Sequence, residues 1–239
     1  MTEKAYTFGS TIAKKLDYFA YPRTGSHFLW ACFTGLFDLV FYENEYTYLP
    51  EAIQRFDELN PLSCYSLKLR QDGVPFQPVC IEANANGLHG EPILQGNRAL
   101  ILIRDPHPTV YSIIKTAGDR WGQNGHETIE SIRDLYEKYT LFYRKAFSLA
   151  NDDPASVFII RYEDAIHDQG ILEKIVAYVE VEPKLSCDFV HYWTSFERMT
   201  NNGKKTFYRQ GDNEAWKKDE EWSSLVDSAE VGSFKEFGY

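Results

Sequence analysis

The stretch that most constrains this chain is Tyr21-Pro22-Arg23-Thr24-Gly25-Ser26-His27-Phe28-Leu29, set between two apolar, aromatic runs, Leu16 to Tyr21 and Phe28 to Phe37. A buried strand there feeds a tight turn, and the turn feeds a helix. Pro22 and Gly25 supply turn geometry, and Ser26 is a favourable N-cap. The first N–H groups of a helix have no intrahelical acceptor and lie at the positive end of its dipole, so such a turn is an anion cradle. Arg23 adds a permanent, planar charge suited to phosphate or sulfate oxygens. An ordinary strand-turn-helix with a solvated arginine would use the same residues, so this stretch alone leaves both readings open.

With 239 residues, 44% apolar and 15% aromatic, the chain can bury a substantial core as one α/β domain over residues 1–239. The formal net charge of −10 argues against nucleic acid or anionic lipid as partners, so a bound anion must be held by local cations. Cys32, Cys64, Cys80 and Cys187 are widely spread, with neither a CxxC pair nor metal-ligand spacing, which reads as reduced, partly buried thiols rather than disulfides, and no metal site. The start of the chain lacks a secretory-signal pattern. The most membrane-like segment, Phe28 to Tyr42, carries Thr34, Gly35 and Asp38 and is too short to span a bilayer. A cytoplasmic protein without membrane insertion is the default expectation.

Taken in order, Leu16 to Tyr21 is the first strand, followed by a helix from about His27 to Leu39. Residues 41–77, rich in Tyr, Glu and Pro, hold a short helix at Pro50 to Leu59 and are assigned to covering the substrate crevice. Pro78 to Ala83 and Ala99 to Ile103 read as buried strands. Pro108 is placed at the start of a helix to Thr116. A longer helix spans Glu127 to Leu149, with Ile132, Leu135, Tyr136, Tyr139, Phe142 and Tyr143 at helical spacing. Ser156 to Arg161 is a further strand, followed by one helix ending near Val181. This alternation predicts a central parallel sheet flanked by helices. The tail from Arg209, anchored by Trp216, Trp222, Leu225, Phe234 and Phe237, is expected to wrap back onto the core.

Three separated motifs resemble those of the sulfotransferases that use 3′-phosphoadenosine 5′-phosphosulfate (PAPS). Tyr21 to Phe28 is similar to the family's phosphosulfate loop, usually Tyr-Pro-Lys-Ser-Gly-Thr-Thr-Trp. Arg104-Asp105-Pro106-His107-Pro108-Thr109-Val110-Tyr111-Ser112 resembles its 3′-phosphate segment and keeps the eight-residue spacing of Arg and Ser. Arg209-Gln210-Gly211-Asp212-Asn213-Glu214-Ala215-Trp216-Lys217 resembles the signature Arg-Lys-Gly-x-x-Gly-Asp-Trp-Lys. Smaller echoes are Arg161-Tyr162-Glu163-Asp164 and the stretch from Thr194 to Met199. The resemblance implies a fold related to P-loop kinases, sulfonyl transfer to a hydroxyl or amine of a small-molecule acceptor, and 3′,5′-adenosine bisphosphate (PAP) as product. It implies that Arg23, Thr24, Gly25, Ser26 and His27 surround the 5′ end. Arg104, Ser112, Arg209, Gln210 and Gly211 would hold the 3′-phosphate, and Phe28, Tyr162, Thr194 and Phe196 the adenine side. The acceptor's identity and the oligomeric state are left open by these motifs.

Two departures matter. The commoner family residue at Arg23 is Lys, which can hand a proton to a leaving group, whereas Arg stabilises charge without acting as an acid. Many members have Lys-Thr-His ahead of the 3′-phosphate segment, the His taking the acceptor proton; here the strand ends Glu82-Ala83-Asn84. Glu82 is therefore the first candidate base and His89, in the following glycine-flanked loop, the second. A catalytically silent nucleotide-binding protein is the rival from another class. A P-loop kinase fits less well, because the Lys-Ser/Thr of the Walker sequence is missing after Gly25.

Overall fold

Leu16 to Ala20 are all buried, and successive side chains feed different cores: Leu16, Tyr18 and Ala20 one, Phe19 and Tyr21 the other. A strand with both faces apolar has to lie inside a sheet covered on each side. The structure is a computed structural model and describes residues 7–8, 11–12, 14–40, 71–84, 98–117, 127–195 and 214–239. After a small antiparallel ladder of β1 (Thr7–Phe8) with β2 (Thr11–Ile12), the chain enters β3 (Lys14–Ala20). β3 is the middle of a five-stranded parallel sheet with β4 (Asp38–Val40), β5 (Pro78–Asn84), β6 (Arg98–Ile103) and β7 (Val157–Arg161), in the order β4-β5-β3-β6-β7.

One face is covered by α1 (Ser26–Leu36), α4 (Tyr162–His167), α5 (Gly170–Val179) and α6 (Cys187–Trp193), through Leu29, Phe33, Leu36, Leu172, Ile175 and Val190. The other is covered by α2 (Pro106–Ala117), α3 (Ile129–Asp152) and the tail, which carries α7 (Glu220–Ser228). Trp222, Phe234 and Phe237 are buried against α3, and Trp216 and Leu225 pack on the same cluster, so the tail does return to the core. The result is the α/β/α single domain that the alternation predicts, with one apolar layer on each side of the sheet.

Several boundaries differ from the sequence reading, each for a local reason. The first helix stops at Leu36 because Phe37 is extended and Asp38–Val40 pairs with β5, where the Asp38 carboxylate accepts the Gln77 N–H at 3.0 Å. Ser26 is not the cap: Gly25 occupies that position in the left-handed region, and no side chain caps the helix. The helix after β6 starts at Pro106 rather than Pro108, and Asp105 caps it by accepting the His107 N–H at 2.9 Å. Both prolines then fall in the first turn, where no N–H is needed. The single helix expected to end near Val181 is two, broken where Asp168 accepts the Gly170 N–H at 2.8 Å. The helix placed at Pro50 to Leu59 lies outside the described residues.

The C-terminal end of α1 is held from an unusual direction. Lys184 is 2% exposed, and its ammonium donates to the Thr34 carbonyl at 2.6 Å, while its backbone N–H donates to Leu36 at 2.7 Å. A cation there satisfies orphan carbonyls and meets the negative end of the helix dipole.

Cys32, Cys80 and Cys187 are free and buried, and Cys64 lies outside the described residues. Burial pushes the Cys32 thiol up to about 12, despite a contact to the Thr194 hydroxyl at 3.4 Å. At pH 8 the buried thiol therefore stays protonated. Alkylation at pH 8 followed by peptide mapping is expected to leave Cys32 unmodified in the native protein and to label it fully in denaturant. Rapid native labelling would show that α1 opens readily.

Candidate active site

The strand order creates a switch point. From β3 the chain leaves through α1 toward the β4 edge, and from β6 it leaves through α2 and α3 toward β7. The carboxyl ends of β3 and β6 are neighbours, with Ala20 opposite Leu102, and crevices that bind ligands form where such connections diverge. Two of the three singled-out motifs, at residues 21–28 and 104–112, start from these two strand ends.

The loop after β3 is tightly determined. The Thr24 hydroxyl donates to the Tyr21 carbonyl at 2.6 Å and is fully buried, so its side chain serves the turn. Arg23 and Gly25 both have positive φ, 67° and 97°. For arginine that conformation costs on the order of 1 kcal/mol and marks a place where surrounding contacts overrule local preference. At Gly25 a side chain is excluded twice, by φ and by space, since an added Cβ would lie 2.2 Å from the Tyr162 ring.

The cationic side chains converge here. Arg23 Nε donates to the Ser112 hydroxyl at 3.1 Å, and Arg104 donates to the Arg23 carbonyl at 3.1 Å. The Arg104 guanidinium lies over the Tyr162 ring, 4.5 Å from its centroid, and Phe28 meets the same ring edge-on at 6.1 Å. Tyr162 thus joins Gly25, Phe28 and Arg104. Its hydroxyl pKa is raised chiefly by burial, against the pull of Arg104. Phe28 itself is buried in the core. Thr194 caps α6, donating to the Val190 carbonyl at 2.8 Å.

Residues that the sequence reading classed as core turn out to brace the two loops. Tyr139 and Tyr143 lie one turn apart on α3: the first donates to the Pro22 carbonyl at 3.1 Å, and the second both accepts the Arg104 N–H at 2.9 Å and donates to the Arg104 carbonyl. Beside them, the His107 ring meets the Tyr136 hydroxyl at 2.7 Å and stacks on Trp216 at 4.7 Å. Burial lowers the His107 pKa, with Asp105 opposing, which favours the neutral ring. The available signal was chemical: a tyrosine on a buried helix face brings a hydroxyl that needs a partner.

Glu82 is placed by register opposite Asp17, three residues before the level of Ala20 and so about 10 Å below the sheet's rim by strand rise. Asn84, opposite Phe19, is nearer that rim. His27 belongs to the first turn of α1. His89, Phe196, Arg209, Gln210 and Gly211 lie outside the described residues.

Solved structures with this arrangement include two described as sulfotransferases and a retinol dehydratase. Over 95% of this chain and 85% of its own, mouse sulfotransferase SULT7A1 complexed with PAP superposes with a TM-score of 0.59 at 16% identity. The fold is the sulfotransferase fold. A retinol dehydratase in complex with androsterone and inactive cofactor PAP gives 0.54 at 16% identity, covering 90% of this chain and 79% of its own. The sulfotransferase domain from the curacin biosynthetic pathway gives 0.53 at 15% identity, covering 93% and 99%. No protein-family model matches the chain, and no curated protein matches it in sequence. The sulfotransferase fold seen here has no helix among the described residues long and apolar enough to cross a membrane.

Proposed function

We propose that this protein is a PAPS-dependent sulfotransferase acting on a hydroxyl or amine of a small molecule. The observation that carries the reading is the convergence of Arg23, Ser112 and Arg104 at the switch point of a sulfotransferase fold. The donor set fits the group: two guanidinium ions, a hydroxyl and a helix start whose cap residue, Gly25, cannot carry a Cβ suit a ligand with two separated anionic ends. PAPS would supply the sulfonyl group.

In this reading Arg23, with the backbone of Thr24, Gly25, Ser26 and His27, holds the 5′ end and stabilises the negative charge that grows on the leaving phosphate. Positive charge fixed before the reaction is worth most at that point. Arg104 and Ser112 hold the 3′-phosphate together with Arg209, Gln210 and Gly211. Phe28, Tyr162, Thr194 and Phe196 form the adenine side. The Arg23–Ser112 hydrogen bond joins the two ends, so Ser112 orients Arg23 as well as contacting phosphate. The segment 41–77 is assigned to the acceptor in this reading; of it, residues 41–70 lie outside the described residues, and 71–77 are hydrogen-bonded to Asp38, Glu182 and Lys184 at the amino end of β5.

Turnover of labelled PAPS against an acceptor library tests the reading. Binding of PAP with no turnover on any alcohol, phenol or amine would favour the silent nucleotide-binding protein instead. The proton acceptor is tested separately. Because register sets Glu82 about 10 Å below the rim, an acceptor has to enter that far for Glu82 to take its proton; in that arrangement Glu82→Gln is expected to remove most turnover with PAP affinity unchanged, and His89→Asn to keep at least about a tenth of it. The reverse pattern moves the role to His89, and two active variants mean that no protein base is required.

A further inference from the structure

The motif Arg161-Tyr162-Glu163-Asp164 stands at the end of β7, where Arg161 is the register partner of Ile103 and the chain beyond runs level with Arg104 and Asp105. Tyr162 belongs to the site described above. Its two neighbours reach the other way, to residues 237–239. Arg161 donates to the carbonyls of Gly238, at 3.1 Å, and Phe237, and its guanidinium lies 4.8 Å from the Tyr239 ring centroid. Gly238 has φ 81°, in the left-handed region that favours glycine, and a Cβ there would come within 2.5 Å of that guanidinium, which would have to swing aside.

Glu163 completes the link. One carboxylate oxygen accepts the Asp105 N–H at 2.9 Å, and the other accepts the Tyr239 hydroxyl at 3.2 Å. Tyr239 also stacks on Tyr143 at 6.1 Å, the residue whose hydroxyl bonds both backbone groups of Arg104. Both peptide units of the Arg104–Asp105 loop are therefore held by side chains that residues 237–239 touch. Phe237, buried against Tyr143 at 5.4 Å, anchors the segment.

We propose that Phe237–Tyr239 is a strap that, through Glu163 and Tyr143, positions the Arg104–Asp105 loop for a ligand's second phosphate. The inference rests on the sulfotransferase reading and deepens it by assigning a positioning role to Tyr239, Glu163 and Arg161. None of the three touches the ligand. Their effect runs through the direction in which the Arg104 side chain leaves its backbone. A frame of this kind acts directly on the end of the ligand that Arg104 meets, and reaches the Arg23 end only through the Arg104–Arg23 hydrogen bond.

The test compares the full chain with Tyr239→Phe and Gly238→Ala, by calorimetry with PAP and with adenosine 5′-monophosphate and by thermal melting. Tyr239→Phe removes one hydroxyl and keeps the ring; losing a hydrogen bond to a charged group is expected to weaken PAP about tenfold. Adenosine 5′-monophosphate is expected to stay within about twofold, so the ratio between the nucleotides falls. Gly238→Ala, which pushes the strap off Arg161, is expected to lower the ratio at least as far. If the wild type separates the nucleotides and Tyr239→Phe separates them equally well, the strap proposal is overturned and the function stands. A parallel loss for both nucleotides with a lower melting temperature also overturns it, because the segment then only supports stability. A wild type that does not separate them removes the function reading and the strap with it.

Discussion

Replacing Arg23 with alanine is expected to lower turnover by about 100-fold or more while changing PAP affinity much less. The asymmetry follows from when the charge is needed. A bound donor already shares its charge among several N–H groups, whereas charge on the leaving phosphate grows only as the sulfonyl group departs. Arg23 is held for that moment by its bond to Ser112 and by a backbone forced into the left-handed region. The backbone cost gives the experiment an internal control. Glycine adopts that conformation freely, so Arg23→Gly relieves the strain that Arg23→Ala keeps. If the guanidinium is what matters, both variants lose turnover equally, and the glycine variant melts higher. Turnover unchanged in either variant would reduce the loop to an anchor. Lysine at the same position keeps the charge and is expected to retain far more activity than alanine.

Arg104→Ala is expected to weaken PAP by about 2–4 kcal/mol, the scale for one partner lost from a close charge pair. In calorimetry that is on the order of 30-fold to 1,000-fold. The loss should be specific to the second phosphate, so adenosine 5′-monophosphate binds the variant nearly as well as the wild type. Arg104 has no freedom to be replaced by a neighbour. Its backbone is bonded by Tyr143 through both N–H and carbonyl, and its guanidinium is set over Tyr162. Arg104→Lys tests geometry apart from charge, since an ammonium reproduces the charge but neither the planar stacking nor the fork. An intermediate loss is expected for it. Equal affinity of the wild type for the two nucleotides would mean that Arg104 meets no phosphate.

The two variants probe ends of one ligand that the sequence separates by 81 residues and the fold joins by the Arg104–Arg23 hydrogen bond. Removing Arg104 therefore also releases the Arg23 carbonyl. Some turnover loss in Arg104→Ala at saturating donor is expected, and its size relative to that of Arg23→Ala measures the coupling between the ends.

What the sequence determined by itself is what rests on local periodicity and local turn chemistry. The apolar run Leu16 to Tyr21 requires a buried strand, and it forms one, which the structure covers on both faces. Gly25 requires a turn with positive φ before a helix. The spacing from Arg104 to Ser112 puts a charged strand end and a helical hydroxyl within reach of one site, and the parallel sheet follows from alternating elements. These features depend on residues only a few positions apart.

Tertiary structure alone decided the rest, because it depends on which distant groups become neighbours. The order β4-β5-β3-β6-β7 brings Ser112 to Arg23 across 89 residues of sequence. Pairing with β5 turns Asp38–Val40 into a strand after an apolar run that read as helix. Gly25, in the left-handed region and packed against the Tyr162 ring, takes the helix-cap position in place of Ser26. The same holds for Tyr139, Tyr143, Glu163 and Tyr239. In the sequence they are an apolar helix face, part of a short motif and a tail residue, yet each buried polar atom had to find a partner, and the partners that packing supplied were Pro22, Arg104, Asp105 and one another.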